Sequence, residues 1–139
     1  MRRAVIFAAV LASLPLQAAA QQPAYRAVNW LIVVPVTASS FEVLEDYGEG
    51  ARGMWCAAGD YARNRIGVPV RAQLYLKGAR GPSRAVPGRT AVLFTLDADT
   101  LDRPPRSSYS LSMREVGQKR SVAQSYQLCT EELFDIDDL

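Results

Sequence analysis

Residues 46–66 read DYGEGARGMWCAAGDYARNRI, and the spacing of this stretch decides the fold. Ala51, Met54, Trp55, Ala58, Tyr61, Ala62 and Ile66 fall on one face of a helix, an apolar stripe that must be covered by another layer. The helix is expected to open at Asp46, whose carboxylate can accept from the unpaired amides of a first turn. Glu49, three residues later, completes a capping box. Gly67 and Pro69 stop it. Gly53 and Gly59 each weaken a helix by about 1 kcal/mol relative to alanine, so they read as positions of close approach where the helix lies on a sheet.

The strands of that sheet lie on both sides of the helix. Residues 28–34 are β-branched and aromatic on both alternating faces, as in a strand covered on two sides, and Pro35 ends its pairing. Trp30 and Trp55 both fall on core-facing patterns. Residues 37–40 read as a turn and 41–45 as a short strand. Beyond the helix, Val70, Ala72, Leu74 and Leu76 alternate with polar residues, and residues 90–96 are apolar on both faces. Tyr109, Leu111 and Met113 then alternate with serines. Val122, Tyr126 and Leu128 are expected to line a last strand after a hairpin-like turn at 115–118. Residues 78–89 and 97–106, rich in Gly, Pro, Ser and Asp, are expected as surface loops. The fold class is α+β, with one main α-helix packed on a mostly antiparallel sheet of five or six strands.

Residues 1–20 belong to none of this. Arg2 and Arg3 give a positive start, residues 4–16 are apolar, and Ala18, Ala19 and Ala20 offer a small-residue cleavage site, the order of parts of a secretory signal peptide. Its apolar run of about 13 residues falls short of the roughly 20 that span a bilayer. Cleavage after Ala20 is expected, with no transmembrane segment following. Residues 21–130 then form a single domain, and 131–139, with five acids and no base, an acidic C-terminal tail. An exported product is periplasmic or secreted, and there the two cysteines, Cys56 and Cys129, are expected to form a disulfide. Closing a loop of this length is worth about 4 kcal/mol in the chain-entropy account. On a helical wheel Cys56 lies off the apolar stripe, beside Arg52 and Arg63, so the segment carrying Cys129 must cross the flank of the helix.

Without the signal peptide, fourteen bases balance fourteen acids. Zero net charge argues against general nucleic-acid or membrane-surface binding. The charges are nevertheless sorted: residues 50–130 hold 13 bases and five acids. Three of the bases, Arg80, Arg84 and Arg89, fall in the 78–89 loop as candidates for an anionic group or an acidic partner. The plainer alternative is a solvated loop whose arginines meet the acidic tail.

The chemistry the chain can perform is narrowed by its lack of histidine, which removes Ser-His-Asp and Cys-His catalysis and imidazole metal ligation. Two cysteines cannot complete a structural zinc site. The 78–89 loop lacks the Gly-Lys-Ser/Thr ending of a phosphate loop. Asp97, Asp99 and Asp102 match a calcium loop at its first two positions only, so a turn held by Asp side chains is expected there. No cofactor, metal or catalytic residue is assigned. Glu42, Glu45 and Asp60 are the acids a carboxylate-based enzyme would draw on, although exposed charges or caps explain them more simply.

Phe41-Glu42-Val43, Trp55-Cys56-Ala57-Ala58, Gly81-Pro82-Ser83 and Pro87-Gly88-Arg89 resemble segments of small, uncharacterised exported proteins of alphaproteobacteria. The likeness covers most of residues 21–139 and implies a single exported domain, with no activity or site residue to carry over. The expected function is a non-catalytic binding or accessory module of the cell envelope, its partner an envelope or extracellular protein or an anionic glycan. A carboxylate-based hydrolase of envelope glycans and an inhibitor-like structural module are the alternatives.

Overall fold

Six strands and two helices make up the computed structural model, which describes residues 22–134. The expected signal peptide, 1–20, and residues 135–139 of the expected tail lie outside the described residues. Strands β1 (Tyr25–Arg26), β2 (Ile32–Pro35) and β3 (Ser40–Leu44) form an antiparallel meander. Helix α1 (Ala51–Asp60), prolonged by a wider turn over Tyr61–Ile66, leads into β4 (Gln73–Pro82), β5 (Thr90–Thr95), β6 (Lys119–Ser121) and α2 (Val122–Phe134). The sheet order is β1-β2-β3-β5-β4-β6, and every neighbouring pair is antiparallel. Because β5 inserts between β3 and β4, those two run the same way and α1 makes the crossover between them, a split β-α-β unit.

Alternation along the central strands builds the core. Phe41 sits opposite Phe94 and Val43 opposite Val92. Trp55 of α1 meets Phe94 edge-on with ring centroids 4.9 Å apart, and Tyr61 tilts against Phe41 at 4.6 Å. Burying side chains of this size contributes about 1.5–3 kcal/mol each, and this aromatic cluster seats α1 on the sheet.

The opposite side of α1 is covered as well: every residue from Gly53 to Ala62 is buried. The cover is α2. Cys56 and Cys129 form the expected disulfide, with Cα atoms 4.9 Å apart. Gly59 faces α2 so closely that a Cβ there would lie 2.6 Å from the Tyr126 nitrogen and 2.7 Å from the Ser125 Cβ. The Arg63 guanidinium rests 4.4 Å above the Tyr126 ring, an attraction of about 0.5–2 kcal/mol in such contacts. Gly59 is thus a close-packing position, but against a second helix rather than the sheet.

Several elements differ from those the residue pattern predicts. The segment at 122–128 is helical, not a strand, and Cys129 lies within that helix. Ser121 and Gln124 explain why: the Gln124 amide donates to Ser121 Oγ at 3.1 Å, and the Ser121 amide donates to Gln124 Oε1 at 3.1 Å, a reciprocal cap. The helix runs through Phe134, so the first part of the 131–139 stretch continues it. Residues 109–113 form no strand. Helix α1 starts at Ala51 behind an uncapped Gly50, because Tyr47 and Gly48 take left-handed backbone angles (φ 56° and 70°) and break any helix begun at Asp46. Trp30 is 64% exposed, since it takes the left-handed position (φ 70°) of the β1–β2 turn and is thrown out of the core. Glu42 and Asp60 are buried rather than exposed. Finally, β4 runs to Pro82 and shortens the 78–89 loop to its last residues.

Gly59→Ala should lower the unfolding free energy of the oxidised protein by about 2 kcal/mol, the usual cost of overpacking a tight contact. Urea unfolding followed by far-UV circular dichroism measures it; an unchanged midpoint would show that α2 is not seated on Gly59.

Candidate functional site

Two of the three loop arginines are engaged by neighbouring acids. Arg80 Nε lies 2.7 Å from Glu45 Oε2, and Arg89 Nη2 lies 3.4 Å from Asp46 Oδ2, both acids in the segment that joins β3 to α1. Arg84 is exposed, and among the described residues its backbone amide is engaged by Glu42. Glu42 projects from β3 on the face away from the aromatic core and is the seat of the loop. It accepts from Ser83 Oγ at 2.5 Å, the Arg84 amide at 2.8 Å and the Ala85 amide at 3.2 Å. A buried carboxylate with this many donors is a structural clasp.

Asp60 is a second such clasp. It accepts from the Tyr25 hydroxyl at 3.1 Å and the Val28 amide at 2.9 Å on one oxygen, and from Asn64 Nδ2 at 2.5 Å on the other. It thereby ties the β1–β2 turn to α1. Burial, then the adjacent Asp60 charge and the hydrogen bond to it, pushes the Tyr25 phenol up to about 12. Burial also raises the Tyr61 phenol.

The unbalanced charge lies elsewhere, on the irregular segment between β5 and β6. Gln118, fully buried, holds that segment: its Nε2 donates to the Ser110 carbonyl at 2.6 Å and its Oε1 accepts from the Ser112 amide at 3.0 Å. Trp55 Nε1 donates to the Ser112 carbonyl at 3.0 Å, fixing the segment to α1. Gly117 takes φ 93°, and a Cβ there would meet the Pro104 oxygen at 2.9 Å, so only glycine lets the two limbs close. Arg106 then bridges Gln118, donating its amide to Gly117 and accepting from the Lys119 amide, both at 2.9 Å.

This scaffold places Lys77, Arg103, Arg106 and Arg114 around one open cavity of about 470 Å³, with Asp102 and Glu115 also on its wall. Arg106 Nη2 pairs with Glu115 Oε2 at 3.2 Å. Among the described residues no carboxylate comes within 4.0 Å of the charged ends of Lys77, Arg103 or Arg114. Four cations against two acids leave an excess of positive charge on this wall, and an anion relieves the potential it raises. Sequence reasoning missed this group because its members are spread over residues 77–114, and only the fold brings Lys77 of β4 beside the segment.

A further cavity of about 320 Å³ beside Phe41, Tyr61 and Arg65 is lined, among the described residues, by a single cation. Asp97 forms the expected side-chain turn, accepting from the Asp99 amide at 3.0 Å. Among the described residues no group of three or more His, Cys, Asp or Glu is placed to hold a metal ion. Nor is any helix among them long and apolar enough to cross a membrane. The chain matches no protein-family model, no curated protein and no solved structure.

Glu42→Gln should free the 83–89 loop, because an amide group must then face the donors the carboxylate accepts from, at a cost of about 1–3 kcal/mol. Trypsin cleavage after Arg84 in the native protein should accelerate; an unchanged rate would show that Glu42 does not hold the loop. Tyr25 keeps its proton in the fold up to about 12, whereas the unfolded chain releases it near 10.0. The native state therefore binds more protons between those values, so stability is flat below the lower one and falls as pH rises through the window. Tyr25→Phe should make that alkaline loss shallower in unfolding titrations at successive pH.

Proposed function

We propose that this protein is an exported, non-catalytic binding module of the cell envelope or extracellular space that takes anionic ligands on the face formed by Lys77, Arg103, Arg106 and Arg114. The observation that carries this reading is the convergence of four cations on one cavity with a single ion pair among them. Guanidinium groups suit the two-pronged recognition of carboxylate and phosphate. Export is supported by the Cys56–Cys129 bridge, a bond that persists in oxidising compartments. Binding is favoured over hydrolysis because the buried acids, Glu42 and Asp60, spend their oxygens on backbone and side-chain donors. Such acids are poor candidates for proton transfer to a substrate.

Titration calorimetry with inorganic tripolyphosphate tests the reading. Replacing Lys77, Arg103 and Arg114 together by serine should weaken binding at least about tenfold, since each lost charge-assisted contact carries more than a neutral one. The corresponding Arg80, Arg84 and Arg89 variant should bind as the wild type does. Equal loss in both variants, or no binding by the wild type, would overturn the assignment. Cleavage of an envelope polysaccharide by the purified protein would favour a hydrolase instead.

A further inference from the structure

Next to the cationic cavity lies a second one, of about 330 Å³, lined by Ser107, Ser108, Tyr109, Lys119, Arg120 and Gln124. The two adjoin along the chain, since Arg106 borders the first and Ser107 the second. Arg120 Nη2 donates to the carbonyls of Ser108 and Tyr109 at 3.3 and 3.5 Å, which shapes the rim. Its Nε is buried with no hydrogen-bond partner among the described residues, a costly condition for a charged donor. Tyr109 stands fully exposed on the same rim. A lone exposed aromatic is ordinary on a protein surface; here it borders two cations, two serine hydroxyls and the Gln124 amide.

We infer that Tyr109, Lys119 and Arg120 form a sugar subsite, so that the ligand of the anion-binding face is an acidic oligosaccharide. This inference rests on the anion-binding reading above. The ring of Tyr109 offers an apolar face to the C–H side of a sugar, while Lys119 and Arg120 take a carboxylate or phosphate substituent. Ser107 and Gln124 supply groups for ring hydroxyls. An extended peptide adding to the sheet is the less suitable occupant, because the outward amides of β6 are already used. The Lys119 amide donates to Arg106 at 2.9 Å and the Ser121 amide to Gln124 Oε1 at 3.1 Å.

Oligogalacturonate, its uncharged methyl ester and inorganic tripolyphosphate are titrated onto the oxidised wild type and onto Tyr109→Ala. Tyr109 is fully exposed among the described residues, so its loss leaves the fold intact, which the unfolding midpoint verifies. The wild type should bind oligogalacturonate at least about tenfold more tightly than the ester. Tyr109→Ala should weaken oligogalacturonate about tenfold while tripolyphosphate affinity stays the same, because only the sugar uses the ring. If Tyr109→Ala leaves oligogalacturonate unchanged while tripolyphosphate still binds, the sugar subsite is wrong and the anion-binding face stands. If neither anion binds the wild type, both fail together.

Discussion

Everything in this molecule depends on enclosing α1. A helix covered on one face can carry polar residues on the other, but Gly53 to Ala62 are buried throughout, and this stretch includes two glycines and three alanines. The alanines favour a helix and the glycines weaken one, but the value of both here lies in how closely neighbours approach. The sheet approaches through Phe41 and Phe94, and α2 approaches through the gap left at Gly59. The Cys56–Cys129 bond fastens the second contact covalently. Asp60, at the end of α1, draws in the β1–β2 turn, and Trp55 draws in the segment that carries the cationic cavity.

The charge pattern follows from the same arrangement. Acids in the β3–α1 connection neutralise Arg80 and Arg89, and buried Glu42 holds the loop between β4 and β5 by its backbone. Those contacts leave the positive excess of residues 50–130 to gather on the other long connection. There Gln118, Gly117 and Trp55 fix an irregular backbone firmly enough to hold like charges together. Surface ion pairs of the Arg80 kind contribute little to stability, and their main effect is to decide which arginines stay available.

Much of the fold was legible in the residues. The apolar stripe of α1, the strands at 41–45 and 90–96, the stop at Gly67 and the pairing of the cysteines all followed from periodicity and composition. The misread elements were those where a local signal competes with a pattern. Val122, Tyr126 and Leu128 satisfy a strand's alternation, yet Val122, Ser125, Tyr126 and Cys129 satisfy a helix's spacing, and the Ser121–Gln124 cap settles it. Trp30 looked like core until the turn imposed a left-handed backbone on it. Lys77, Arg103 and Arg114 could not be read as a group, because no periodicity in the chain encodes the packing of an irregular segment against a strand.

The order of elements along the chain has one more implication. Helix α1 leaves the ribosome well before α2, and the partner sulfur of Cys56 is 73 residues further on. Until residue 134 has emerged, one long side of α1 has no lid, and its small apolar residues face water or whatever protein attends the nascent polypeptide. Maturation thus waits on the C-terminal end, and a chain truncated between the two cysteines would carry a solvent-facing groove and an unpaired thiol.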